Sequence, residues 1–356
     1  MKHSRIVWIV WLIIALASPG LSQSRKPPAK SLPPACQLII LPLAEASGIN
    51  DNGQVVGIRY AKTPYVDAGD LRTKVYQSYV WQKGRLRSLG PASTHPRVAA
   101  TVINGKGDIV GAEEDVTASD FPWTLGDAYL WSRGRKTALS SLTLHAQRAD
   151  ATFALGINNK GTIVGSSGMA FVMSPNDSDD WSHAVVWKRG KLTDLGWGEA
   201  KAIDDRGQIV GDWVTFPDQF EDHAVLWDDG RKLFLGYGTA NAINNHGQVV
   251  GLLNTGRAFL YDRGKTIDIG SNEPVAINDQ GQVLLDGGYL WYQGKHYNLN
   301  HLVPKFARWS NIQVSGINNN GAIIGYGTYK NQERAFLLVP SLAHSAPRHE
   351  QKFSHR

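Results

Sequence analysis

The 356-residue chain has a single cysteine, Cys36, so no intrachain disulfide can form and no cysteine-based metal cage can exist. Its longest uninterrupted apolar run, residues 6–17, is 12 residues long, and a membrane-spanning helix needs roughly 20. It has no Gly-x-Ser-x-Gly elbow, no His-Glu-x-x-His pair, no phosphate-binding loop and no dinucleotide fingerprint, so no local motif announces a reaction. A charge excess is also missing from its central part. The formal charge is +6, but residues 1–35 hold five Lys or Arg and no acid, and residues 341–356 hold three and one acid. Between 36 and 340 there remain 29 basic and 30 acidic residues, which lacks the electrostatic footprint of a nucleic-acid binder.

What is present is ample core material: 42% of residues are hydrophobic and 10% aromatic. Residues 1–22 read as a secretory signal, with Lys2 and Arg5 ahead of the apolar run and Ser, Pro and Gly after it. Cleavage sites fit after Ala17 or after Ser22. Residues 23–35, rich in Pro and basic side chains, read as an extended linker, and residues 341–356 as a disordered basic tail. Pro33 and Pro34 occupy the positions where a lipoprotein signal wants Leu and a small residue, so Cys36 reads as a sheltered, inert thiol. The expected location is secreted, periplasmic or at the cell surface, with no stable membrane insertion.

Residues 36–340 repeat themselves. "GINDNGQVVG", "VINGKGDIVG", "GINNKGTIVG", "AIDDRGQIVG", "AINNHGQVVG", "AINDQGQVLL" and "GINNNGAIIG" share an Ile, then Asn or Asp, then a Gly three residues on. The glycines, Gly53, Gly107, Gly161, Gly207, Gly247, Gly281 and Gly321, are 54, 54, 46, 40, 34 and 40 residues apart, a period that means a propeller or a solenoid. Asn at the turn entry can bond its own backbone and the Gly supplies a positive φ, so each copy is a hairpin. A second hairpin follows in six copies, for example "HAVVWKRGKLTDLG", with an aromatic residue ahead of a two-residue turn closed by Gly. Each unit is therefore four strands, A to D.

After "RAFLLVP" no fourth strand follows, whereas "CQLIILPL" precedes the first unit and belongs to none. If the N-terminal strand supplies D to the last unit, a ring closes and no sheet edge is left exposed. The expected fold is all-β: a seven-bladed β-propeller of four-stranded antiparallel blades, closed by that strand. Small residues at the end of strand A, such as Ala46/Gly48 and Ala200/Ala202, suit an innermost strand, and Trp81, Trp131, Trp187, Trp227, Tyr261 and Trp291 should fill the space between blades.

The units resemble the HAF repeats of bacterial proteins expected outside the cell. The tripeptide is closest at His183-Ala184-Val185 and His223-Ala224-Val225, with Arg for His at Arg257-Ala258-Phe259 and Arg334-Ala335-Phe336. The resemblance spans nearly all of 36–340; Leu285 in place of a Gly and Gln77-Ser78-Tyr79 depart from it. It implies an exported repeat fold and no established reaction, so it carries over no catalytic residue.

Repetition explains the Asn-x-x-Gly turns as structure, so variation is where function is sought. The B to C connections run long in units one to four and short in five to seven, and loops vary without disturbing a scaffold. The long connections mix carboxylates with aromatics, and Tyr65, Asp67, Asp70, Trp123, Asp180, Trp181, Trp213 and Asp222 are the candidate ligand-binding residues. Such a set can stack on and hydrogen-bond a sugar, or clamp a cation or a basic peptide. His183 and His223 hold equivalent positions in adjacent units, but their replacement by Arg elsewhere reads as repeat pattern rather than as a metal pair. The expectation is a monomeric, non-catalytic binding module for a glycan or protein, with no metal, no cofactor and no nucleic-acid partner. The alternative is a glycan-processing hydrolase or lyase that draws its acid and base from the loop carboxylates.

Overall fold

The computed structural model describes residues 36–68, 71–90, 97–115, 125–143, 151–169, 182–215, 221–303 and 308–340. These form 26 strands and a single four-residue helix, Leu299–Leu302, so the protein is all-β. The expected signal (1–22), linker (23–35) and tail (341–356) lie outside the described residues.

Each repeat folds as an antiparallel A-B-C-D meander. In unit three, A (Ala151–Ile157), B (Ile163–Met169) and C (His183–Lys188) pair in order, and the first half of Lys191–Ile203 supplies D. The second half of that strand is A of unit four, so one strand serves two units. Arg231–Ile243 does the same for units four and five. The changeover falls on Leu-Gly-aromatic-Gly. Gly198 (φ 122°) and Gly238 (φ 140°) pass so close to the B strand that a Cβ would lie 2.2 Å from the carbonyl oxygens of Asp212 and Leu252 respectively. Only glycine fits there.

The turns obey their sequence. At the A to B turn of unit one, the Gly53 N–H donates to Asn50 O (3.0 Å), and the Asn50 side-chain oxygen accepts from the N–H groups of Asn52 and Gln54 at 3.1 and 3.0 Å. The C to D turns place a non-glycine residue and then Gly at positive φ, as in Lys83 (47°) and Gly84 (82°), the backbone twist that a two-residue hairpin requires.

One expectation needs correction. The B to C connection of unit one is not a long loop but a hairpin: Val55–Ala68 pairs with Leu71–Gln82 as far as Ala68↔Leu71. Tyr60, Tyr65, Val66, Thr73, Val75 and Tyr76 in this segment are of the aromatic and β-branched types that strands favour.

The cores lie between units rather than within them. Trp131 packs with Val56 and Val80 of unit one, Trp187 with Val110 and Ala128 of unit two, and Trp227 with Val164 and Ala184 of unit three. Trp81 joins Leu41, Leu43 and Ala46 to Ile324, Ala335 and Leu337 of unit seven. The first unit thus buries its apolar face against the last. Cys36–Ile40 runs antiparallel to Gln332–Pro340, with Cys36 opposite Pro340 and Ile40 opposite Phe336. It stands where the sequence left unit seven without its D strand. Burial pushes the Cys36 thiol up, which disfavours the thiolate.

Candidate functional site

The A to B turns converge. Six side-chain amides each donate to the backbone carbonyl of the next turn: Asn50 to Asn104, Asn104 to Asn158, Asn158 to Asp204, Asn244 to Asn278, Asn278 to Asn318, and Asn318 back to Asn50, all at 2.9 to 3.0 Å. Unit four differs because the Asp204 side chain has no N–H to give; its carboxylate accepts from three backbone amides and from Arg206. One residue further on, Asn and Asp alternate in every unit but the second, which has Gly105. Asn159 is held by Asp205, Asn245 by Asp279 and Asn319 by Asp51, each through its backbone N–H and its side-chain amide. The Ile and polar residues of all seven turns enclose a cavity of about 240 Å³. These polar groups are spent on one another, which agrees with a structural reading of the turns.

Every A strand carries a bulge, between Ala46 and Gly48 in unit one and between Ala200 and Ala202 in unit four, for example. The extra residue lets a side chain reach the neighbouring A strand. Ser47 Oγ donates to Ala100 O (2.5 Å), Thr101 Oγ1 to Ala154 O (2.9 Å) and Ser315 Oγ to Ala46 O (2.6 Å).

Towards the B to C end, a cavity of about 660 Å³ opens among units one, two and seven. Glu45, Tyr60, Tyr76, Tyr326, Ser47 and Thr101 line it. The Tyr60 hydroxyl donates to Glu45 Oε1 at 2.6 Å, and the Tyr326 hydroxyl to Gln313 Oε1 at 2.5 Å. Burial first, and then the Glu45 and Glu333 carboxylates, push both phenols up, so they stay protonated.

A second polar cluster belongs to unit four. Glu199 sits directly across from Asp212, and Asp222 begins the adjacent C strand opposite Val214. Lys201, the bulged residue of this A strand, reaches Asp212 Oδ1 at 2.9 Å. One lysine among three carboxylates leaves negative charge over. Burial first, and then the charge of Asp212, push Glu199 up, and the same two causes in the same order act on Asp222.

Of the sequence candidates, Trp213 and Asp222 fall on neighbouring strands but on opposite faces, because Trp213 pairs with His223 and Asp222 with Val214. Trp213 lies under Lys232 Nζ, 4.2 Å from the ring centre, beside His223. The backbones of Tyr65 and Asp67 lie in the B strand of unit one, opposite Lys74 and Arg72. Asp70, Trp123, Asp180 and Trp181 lie outside the described residues. Glu113, another carboxylate of the long connections, is buried in a strand and ion-paired to Lys136. His183 Nδ1 meets Asp194 Oδ2 at 2.8 Å, whereas His223 Nδ1 meets the carbonyl of Glu221 at 2.7 Å, so each ring has its own partner. Among the described residues no group of three or more metal-ligating side chains converges.

Sequence reasoning missed Glu45, Tyr60, Tyr326, Glu199, Lys201 and Asp212, because it sought function in loops. A signal existed. Four residues before the repeated Ile stand Glu45, Ala99, Phe153, Glu199, Thr239, Glu273 and Gln313, and five after the repeated Gly stand Ile58, Ala112, Ser166, Asp212, Leu252, Asp286 and Tyr326. The units differ at these strand positions, which the register pairs, as in Glu45↔Ile58 and Gln313↔Tyr326.

No protein-family model and no curated protein matches the chain. Among solved structures, the chain is similar to the β-propeller domain of the trilobed protease from Pyrococcus furiosus, with 11% identity and a TM-score of 0.48 over 83% of this chain and 95% of that one. It is also similar to the acylaminoacyl peptidase of Pyrococcus horikoshii, with 15% identity and a TM-score of 0.46 over 80% of this chain and 50% of that one.

Proposed function

We propose that the chain is an exported, closed seven-bladed β-propeller of the HAF-repeat kind that binds a glycan, without catalysis, in the cavity among units one, two and seven. The ring reading is supported by the amide bond from Asn318 back to Asn50 and by the strand Cys36–Ile40 completing unit seven. The binding reading rests on one observation above all: a cavity of about 660 Å³ lined by Tyr60, Tyr76, Tyr326 and Glu45, whose rings can stack on a sugar while the carboxylate accepts its hydroxyls. A thermal-shift screen of the full chain with oligosaccharides tests it. A saturating ligand, at 100 times its dissociation constant, should stabilise by about 2.7 kcal/mol. The shift should vanish in Tyr60→Ala, and no shift with any oligosaccharide would sink the reading. Export is tested by cell fractionation with and without residues 1–22.

A second reading, glycan hydrolysis, is favoured by one observation: Glu199, held towards its protonated form, faces Asp212, which Lys201 pairs. An acid beside a carboxylate is what cleavage of a glycosidic bond requires. Turnover that survives Glu199→Gln would rule this reading out.

A further inference from the structure

Five hydroxyl groups of the cavity among units one, two and seven have already given their protons away. Tyr60 donates to Glu45, Tyr326 to Gln313, Ser47 to Ala100 O, Thr101 to Ala154 O and Ser315 to Ala46 O, at 2.5 to 2.9 Å. A hydroxyl has one proton and two lone pairs, so each of these five oxygens can still accept but has nothing left to donate. Glu45 adds a carboxylate, which only accepts while ionised. Among the described residues, no lysine, arginine or histidine lines the cavity. Its walls therefore offer acceptors, negative charge and the faces of tyrosine rings.

Glu45 is not the only carboxylate near the two phenols. Tyr60 and Tyr326 are both pushed up by burial and, after it, by Glu45 and Glu333, and Tyr326 by Asp286 as well. Burial alone would disfavour a cation, but the carboxylates among these causes favour a positive charge in the same space.

The complement of such a cavity is a group rich in N–H donors and positively charged. An ammonium supplies three donors and no acceptor, and tyrosine faces attract it through their quadrupole. A carboxylate or phosphate would meet repulsion from Glu45 and no donor among these five hydroxyls. We propose that this cavity is an ammonium site, and that Glu45 is the residue that pairs with the cation of an amine-bearing ligand such as an amino sugar. The proposal rests on the binding reading above and narrows it to one ligand chemistry.

Isothermal titration of the full chain tests it with three probes: a glucosamine trisaccharide with free amines, the same trisaccharide fully N-acetylated, and cadaverine. Acetylation removes the charge and two of the donors and leaves the sugar frame. The expected result is that the free amine binds at least about tenfold more tightly than its acetylated form, and that Glu45→Gln removes this preference. Binding of cadaverine would show that the ammonium alone suffices. Binding of the free trisaccharide without cadaverine would assign the ammonium to an amino sugar. If the acetylated sugar binds as well as the free one or better, the ammonium inference is overturned and a neutral-sugar site stands. If none of the three binds, the ammonium inference is overturned, and the oligosaccharide screen alone decides the binding reading. The comparison of the two sugars is made on the unaltered protein, so it holds even if Glu45→Gln does not fold.

Discussion

At the end of the units that carries the A to B turns, seven copies of one hairpin are tied by the same bond, Asn Nδ2 to the next turn's carbonyl, in six of seven places. At the B to C end the matched strand positions read Glu, Ala, Phe, Glu, Thr, Glu and Gln. Both ends are polar, and the contrast lies in what the polar groups do. Asn278, for instance, has both ends of its amide engaged, with Gln282, Gln280 and Asn318, and is 2% exposed. Glu199 and Asp212 instead face one another as two carboxylates, an arrangement that weakens a sheet when both are ionised. One end is arranged for stability, whereas the other keeps charge that stability alone would not select.

The comparison is broken most completely by removing the strand that completes unit seven. Deletion of Cys36–Ile40 uncovers the edge of Gln332–Pro340 and opens the core around Leu41 and Leu43 to water. Size-exclusion chromatography should then show oligomers or unfolded chain, and a monomer of unchanged melting temperature would refute closure by this strand. Next in size is Gly198→Ala. A Cβ 2.2 Å from Asp212 O at φ 122° forces strands A and B of unit four apart, a loss of about 3 kcal/mol in a denaturant titration.

The two ends then separate by direction of effect. Asn278→Ala leaves a buried carbonyl and two turn amides without their partner, so it should cost about 2 kcal/mol. Asn245→Ala, at the more open second position, should cost about 1 kcal/mol. The smallest effect has the opposite sign. Burial and Asp212 raise the folded-state value of Glu199 above its ordinary 4.5, so stability is full below pH 4.5 and is lost as pH rises through the folded value. Glu199→Gln should leave the melting temperature unchanged in acid and raise it near neutrality by the equivalent of about 0.5 kcal/mol. Destabilisation at both pH values would place Glu199 with the structural groups.

The four-strand unit was legible because its turns are local chemistry. Asn50 bonds the amides two and four residues on, and Gly53 at φ 71° relieves strain that another side chain would meet. The inter-unit role of Trp81, Trp131, Trp187 and Trp227 was legible for a similar reason: a large apolar residue recurring at one strand position must be buried, and only the neighbouring unit is available to bury it. The site was less legible. Trp213 and Asp222 were read as one loop group, yet strand alternation turns them to opposite faces, and the supposed loop of unit one is a hairpin. Glu45 and Tyr326 lie 281 residues apart and meet only where the last unit packs on the first.

The sequence by itself determined the unit and its copy number, because hairpin turns and strand alternation are decided within about ten residues of chain. It also determined that the strand beginning at Cys36 lacked a unit and that the last unit lacked a strand. Only the tertiary structure decided which polar groups would share a space. The cavity draws on units one, two and seven, and whether a hydroxyl there can still donate depends on carbonyls and carboxylates brought from strands distant in the chain. Proton placement follows from such three-dimensional pairing, and no spacing within the chain encodes it.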